Sequence, residues 1–344
     1  MGRISDRMLS RISLIKGSAI WLAIGWGLIS LSTHSVTVFI IGVVFFSMMG
    51  TLNAQTFGVV RDVINREQES REATITSTIR STYSFGWALG PVMGSVIAGL
   101  AGYRIAFLAP VILFLAILFP LRKLQVQTKQ ATANEREKTK SLKSWGTANV
   151  SLLFFGLICA LVLSGEAVRL AYLPIYVVDE LKINMMTFSL MMSAAPLTEI
   201  FVMPAVGAFA DRFGIHKILL GGFLIGGLGF LLFSTSDHPW LLFLGQMMNA
   251  CFIAIIFGLG VTYAQQLSPH NIGLASSIFF SAQSFSFIAG SFIGSYGVHL
   301  MGLPLLFLIP SILSIVSCVL FFINHRMAKE KFLQRTVLGA KALD

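Results

Sequence analysis

The stretch "VGAFADRFGIHKILL", residues 206–220, decides the fold, because the chain opens on the same landmarks in "MGRISDRMLSRISLI", residues 1–15. Gly2 stands four residues before Asp6 and Arg7, and Gly207 stands four before Asp211 and Arg212. In its half of the chain the second copy follows two long apolar stretches, whereas the first copy follows none. A landmark repeated at this distance points to a duplicated architecture, and the unequal halves are read from the apolar stretches around it.

Those stretches also set the class. The 344 residues are 55% hydrophobic and only 12% charged, too apolar for a water-soluble chain of this length. A helix needs ~20 mostly apolar residues to cross a bilayer. Ten such segments are predicted, over 17–34, 36–59, 73–99, 105–121, 148–168, 186–208, 217–235, 240–264, 272–298 and 304–323. They are too long for the strands of a membrane barrel and lack its period-2 alternation. Lipid offers no partners to backbone amides, so an all-α membrane bundle is expected.

The net charge of +10 is explained by its placement. Of the 25 Lys and Arg, 21 fall in alternate connections: before the first segment, between the second and third, in 122–146, after the sixth, and in the tail. That is the positive-inside pattern, which predicts a multi-pass membrane protein with both termini and the central loop cytoplasmic. No basic groove interleaved with aromatics accompanies the charge, so nucleic acid is not an expected partner; the lipid bilayer is. Cys159, Cys251 and Cys318 lie inside apolar segments, an odd number with no metal-ligand spacing. No G-x-S-x-G, H-E-x-x-H, P-loop or C-x-x-C pattern is present, so no metal, no cofactor and no enzyme activity are expected. The glycines of "GGFLIGGLGF" (221–230) sit inside an apolar helix and read as packing, not phosphate binding.

The long polar stretch "LRKLQVQTKQATANEREKTKSLKSW" reads as a linker. It divides the chain into a four-helix N-terminal half-bundle (1–121), a cytoplasmic linker (122–146), a six-helix half-bundle (147–325) and a cytoplasmic tail (326–344). If both halves are built alike, two further helices, about 50–60 residues, are expected ahead of Met1.

Two helical halves, a basic central loop and G-x-x-x-D-R at matched positions resemble the major facilitator superfamily. "NAQTFGVVRD", "IRSTYSFGWALGPVMGSVIAG", "LAYLPIYVVDEL", "LTEIFVMPAVGAFADRFG" and "GLGVTYAQQLSPHNIGLASSIFFSAQ" narrow the likeness to the bacterial sugar efflux transporters. The chain resembles such a transporter without its first transmembrane hairpin. The first landmark departs from the pattern, with Leu9 where Gly214 stands in the second. The resemblance implies alternating access between two pseudo-symmetric halves, with efflux of sugars or sugar-like molecules in exchange for protons. The other readings are a drug/proton antiporter for amphiphilic compounds and an inactive truncated remnant. A monomer is expected.

Individual residues carry the mechanistic expectations, each beside a plain structural reading. Gly2, Asp6, Arg7, Gly207, Asp211 and Arg212 are candidate gate residues: glycine lets helix ends approach, and an Asp can pair with an Arg or sit at a helix N-terminus. Simple loop anchoring is the alternative. Gly86, Gly90 and Gly94 recur on one helix face beside Pro91, suited to close packing, and the resemblance links this pattern to proton-exchanging exporters. Arg80, Tyr83 and Trp87 share another face at i, i+3 and i+7, where an indole and two donors suit a sugar ring. Trp87 reads equally as core, and Arg80 reads as snorkelling or as lining a water-filled path.

Glu199 lies near the middle of the sixth segment, where a charge costs ~2.5–3.5 kcal/mol on insertion scales. It is a candidate proton carrier or a hydrogen-bonded structural acid. Glu166 is a candidate for substrate binding and proton coupling, with Arg169 at i+3 as a possible ion-pair partner. Asn53, Gln55, Gln246, Asn249 and Gln283 complete the candidate substrate contacts, because amides bind neutral polyols without a counter-charge. Such groups also join helices to one another in membranes. The six histidines fall in connections or at helix ends, away from any path through the bilayer.

Overall fold

The computed structural model describes residues 11–122, 148–269 and 271–340. It is helical, with no strand among the described residues. In chain order the helices are α1 (Arg11–Leu31), α2 (Ser35–Phe46), α3 (Met49–Arg66), α4 (Glu72–Ala101), α5 (Tyr103–Ala116), α6 (Leu118–Leu121), α7 (Ala148–Pro174), α8 (Met185–Phe213), α9 (Ile215–Thr235), α10 (Pro239–Leu267), α11 (Ile272–Met301) and α12 (Leu308–Ala340). Ten spans are long and apolar enough to cross a membrane, in agreement with the ten expected. The chain is a multi-pass membrane protein. The first landmark, Gly2, Asp6 and Arg7, and most of the linker lie outside the described residues.

Several boundaries follow local chemistry. The second span is one apolar run in the sequence but two helices in the structure. At the junction the Ser47 hydroxyl donates to the Val44 carbonyl at 2.9 Å, and the Met48 amide donates to Phe45 at 3.3 Å. These i→i−3 bonds tighten one turn and shift the helix register. At the other end of α7, Pro174 lacks an amide hydrogen, and the chain continues as a π-helical turn over Ile175–Glu180. Helix α8 contains two prolines, Pro196 and Pro204, on either side of Glu199. Thr198 between them donates to the Ala194 carbonyl at 2.8 Å, a side-chain bond that favours bending.

The contacts group the chain into two compact units. One comprises 1–70, 86–140 and 270–280. Its core is Ile15, Leu22 and Leu52, with Phe46, Val59, Phe114 and Leu121 packed against them. Trp21 stacks on Phe45 with centroids 4.7 Å apart, and Trp26 lies between Phe46 and Phe107. Arg11 is buried here. Its Nε donates to Asp62 at 2.9 Å, and its Nη1 donates to the Gln55 Oε1 at 3.4 Å.

The other unit comprises 71–85, 141–269 and 281–344. Its core is a phenylalanine lattice, with Phe155, Phe223, Phe230, Phe233, Phe252, Phe307 and Phe321 fully buried. Small residues set the helix spacing. A Cβ at Gly226 would stand 2.7 Å from the Phe252 ring and one at Gly222 2.6 Å from Ile255, so α9 approaches α10 only because both positions lack a side chain. Those glycines come from the 221–230 stretch, and their role is packing, as expected. Ser311 and Ser314 of α12 donate to the Gly227 and Phe223 carbonyls at 2.8 and 2.7 Å.

The glycine face of α4 behaves differently. Among the described residues no atom lies within 4 Å of a Cβ placed at Gly86, Gly90 or Gly94. The close packing expected of that face is not made in this structure.

Candidate functional site

The second unit brings most of the singled-out charges together at membrane depth. Three helices supply them: the first part of α4, the body of α7, and α8, with α10 behind. At the start of α4, three groups converge on Asp211 of α8. The backbone amides of Ala73 and Thr74 donate to its carboxylate at 2.9 and 2.8 Å, and the Thr74 hydroxyl adds a third bond at 2.6 Å. First-turn amides have no partner within their own helix, and the helix dipole favours an anion at that end. Of the two arrangements the sequence left open for Asp211, the helix N-terminus is the one adopted. Gly207 explains why the helices meet there: a Cβ would fall 2.7 Å from the Ala73 carbonyl oxygen and 2.7 Å from the Thr74 Cα, backbone atoms that cannot yield. Arg212 is exposed, with its guanidinium 5.2 Å from the Phe213 ring.

Deeper along the same pair of helices, the Ser84 hydroxyl donates to Glu199 at 2.6 Å. Arg80, one turn closer to Asp211, is only 6% exposed. Its guanidinium lies 4.4 Å from the Tyr83 ring and 4.8 Å from the Phe257 ring of α10, a stacking that offsets the cost of burying the cation. Arg80 therefore does not snorkel.

The third group is centred on α7. Arg169 is 4% exposed and grips Glu166 with two arms, Nε to Oε2 at 2.9 Å and Nη2 to Oε1 at 2.5 Å. A third arm, Nη1, donates to the Gln246 Oε1 on α10 at 2.9 Å and faces the Met192 sulfur on α8 at 3.7 Å. The i, i+3 pair expected from sequence is formed, and Arg169 proves to be a hub between three helices. Glu199 lies within electrostatic range of both Arg80 and Arg169, so two guanidiniums and two carboxylates share this part of the unit.

The remaining candidates are distributed as follows. Asn249 is fully buried where α10 meets α9, and its side-chain amide makes no hydrogen bond among the described residues. Gln283 of α11 is half-buried. Asn53, Gln55 and Trp87 belong to the other unit: Asn53 is half-buried, Gln55 is buried beside Arg11, and Trp87 is 70% exposed. Asp62 was not singled out from sequence, although the adjacent charges Arg61 and Asp62 near the end of an apolar helix were a signal. The two histidines His216 and His325 stack with centroids 4.2 Å apart, and the His325 Nδ1 lies 3.2 Å from the Tyr263 hydroxyl. No cluster of three or more His, Cys, Asp or Glu capable of holding a metal occurs among the described residues.

A family model described as Major Facilitator Superfamily matches residues 1–181 and again 163–342. Among characterised relatives, the chain is 28% identical over 283 residues to Sugar efflux transporter A of Dickeya chrysanthemi, covering 80% of this chain and 69% of that one. It is 27% identical over 261 residues to Sugar efflux transporter B of Salmonella typhimurium, covering 74% and 64%. The chain thus spans about two thirds of the length of these relatives. The fold is similar to the fucose:proton symporter FucP of E. coli, with a TM-score of 0.70 at 15% identity, covering 94% of this chain and 86% of that one. It is also similar to the human organic anion transporter MFSD10, with a TM-score of 0.68 at 16% identity, covering 93% and 79%.

Proposed function

The chain belongs to the major facilitator superfamily, and from that premise we propose that it exports sugars or sugar-like molecules across the inner membrane by alternating access, in exchange for protons. The observation that carries this reading is the cluster of Arg80, Glu199, Glu166, Arg169 and Gln246, in which both guanidiniums and the amide are buried and both acids are partly covered. Charges at membrane depth are expensive and gather along substrate and ion paths. The likeness to named sugar efflux transporters supports a sugar as the substrate and export as the direction.

Glu199 carries the coupling proton. Its carboxylate accepts from the Ser84 hydroxyl, a bond that serves either protonation state, since a protonated acid still accepts at its carbonyl oxygen. Glu166 is held in a two-point fork with Arg169 and belongs to the substrate site, with Gln246 beside it. Arg80 and Tyr83 line the approach, and Asn53, Gln55, Trp87, Asn249 and Gln283 are the further candidate contacts. Gly207 and Asp211 form one cytoplasmic gate contact with the start of α4. Gly2, Asp6 and Arg7 take the equivalent part in the first half, and both termini face the cytoplasm.

The test is reconstitution of the chain in proteoliposomes loaded with a panel of labelled neutral sugars, under an imposed pH gradient. Sugar movement that accelerates when protons run opposite to it supports the reading. Movement of lipophilic cations uncompeted by sugars would replace it with drug export, and no movement of either would leave an inactive chain.

A further inference from the structure

The geometry assigns a role to Arg169 that goes past the reading above and rests on it: Arg169 is the positioning residue that presents Glu166 as a two-oxygen acceptor for adjacent hydroxyls of a neutral sugar, and so turns the site against anionic sugars. Each oxygen of a carboxylate accepts about two hydrogen bonds. Arg169 takes one on Oε1 and one on Oε2, which fixes the plane of the carboxylate and leaves one acceptor direction on each oxygen pointing away from the guanidinium. The two side chains are unequally covered, Arg169 at 5% exposure and Glu166 at 14%, so the reachable side of the pair is the carboxylate's. Two parallel acceptors on one rigid group match two hydroxyls on neighbouring sugar carbons, and hydrogen bonds to a charged acceptor are about twice as strong as neutral ones.

Arg169 also fixes its surroundings. Its Nη1 takes the Gln246 oxygen, which turns the amide nitrogen toward the Met192 sulfur at 3.7 Å. Glu166, Gln246 and Met192 come from α7, α10 and α8, so one guanidinium sets the register of three helices around the acceptor. The charge of Glu166 is already matched, so a neutral ligand needs no further ion. A carboxylate-bearing or phosphate-bearing sugar would bring its own negative charge against the outer oxygens of Glu166, whose guanidinium partner is already engaged on the far side of the carboxylate.

The experiment measures sugar binding to the full chain in lipid nanodiscs by titration calorimetry. The ligands are glucose, galactose and lactose, the 2-deoxy analogue of the best of these, and glucuronate. The variants are Glu166→Gln, Arg169→Lys and the exchanged pair Glu166→Arg with Arg169→Glu; thermal midpoints are recorded for each. The wild-type chain is expected to bind its best neutral sugar at least about tenfold more tightly than glucuronate, and Glu166→Gln to lose about tenfold. The Lys variant keeps the charge but loses the fork and the arm to Gln246, so it is expected to weaken binding and to lower the thermal midpoint as well. The exchanged pair restores the ion pair but not the arm to Gln246, and leaves the acceptor buried, so it binds sugar as poorly as Glu166→Gln. Recovery of sugar binding by the exchanged pair would show a merely structural bridge and overturn the assignment, as would equal affinity for glucuronate. A wild-type chain that binds none of the neutral sugars would refute the sugar reading itself, which is a separate result.

Discussion

Replacing Asp211 with alanine tests the helix-end contact most directly. The substitution removes the acceptor that the first-turn amides of Ala73 and Thr74 share, together with the Thr74 hydroxyl bond. Loss of a helix cap costs about 1 kcal/mol. Loss of the anion at the dipole's positive end adds about 0.5 kcal/mol at an exposed position. The sum, ~1.5 kcal/mol, lowers the population of the closed contact about tenfold relative to any state in which α8 and the start of α4 part. The change is read by labelling a cysteine placed at the fully buried Ser77, which lies beside Gly207 in that contact. The native Cys159, Cys251 and Cys318 are first replaced by alanine. A maleimide should react at position 77 about tenfold faster in Asp211→Ala, and only about twofold faster in Asp211→Asn, which keeps an acceptor and loses only the charge. Equal labelling rates in all three chains, with unchanged helical circular dichroism, would refute the idea that this contact holds the two helices together.

Three further outcomes are expected. Glu199→Gln keeps the Ser84 bond but carries no proton, so efflux driven by a pH gradient disappears while sugar–sugar exchange is retained; gradient-driven efflux in this variant would remove Glu199 from the coupling step. Arg11→Met strands Asp62 in a largely buried position and costs about 3 kcal/mol, read as a lower thermal midpoint in detergent, which the double variant Arg11→Met with Asp62→Leu recovers; a single variant as stable as the parent contradicts this. Gly226→Leu drives a side chain into the Phe252 ring and costs about 1–3 kcal/mol, whereas Gly86→Ala meets open space and is neutral. Equal effects at the two glycines would mean that the spacing of α9 and α10 is not set as described.

The ten spans were legible because a bilayer demands long apolar runs, and nothing else in the chain competes with that signal. The helix ends were less so. Helix α8 runs on through Ala210, Asp211 and Arg212, and the helix begun at Ala148 continues past Pro174, because backbone bonding continues where hydropathy stops. Glu199, Glu166 and Arg80 stood out as charges in apolar surroundings, and the pairing of Glu166 with Arg169 followed from helical spacing. The Ser84 contact did not, since a serine in a membrane helix ordinarily bonds its own backbone, as Ser77 and Ser81 do. The hub role of Arg169 was hidden for a similar reason: its third arm reaches Gln246, 77 residues away, and no local pattern records that distance. The glycine faces show the same limit. Small residues at four-residue spacing announce that a close neighbour is permitted, but among the described residues Gly207 and Gly226 have one and Gly86, Gly90 and Gly94 do not.

Pro196 and Pro204 give α8 a mechanical property that its length alone would not. Neither can donate to the carbonyl four residues before it, so the rungs to Met192 and Ile200 are absent and the helix is jointed just above and just below Glu199. A rod with two joints can swing its tip without unwinding its middle. Pro204 lies between Glu199 and Asp211, so the segment that carries the helix-end anchor is joined to the segment that carries the acid through a stretch lacking one backbone rung.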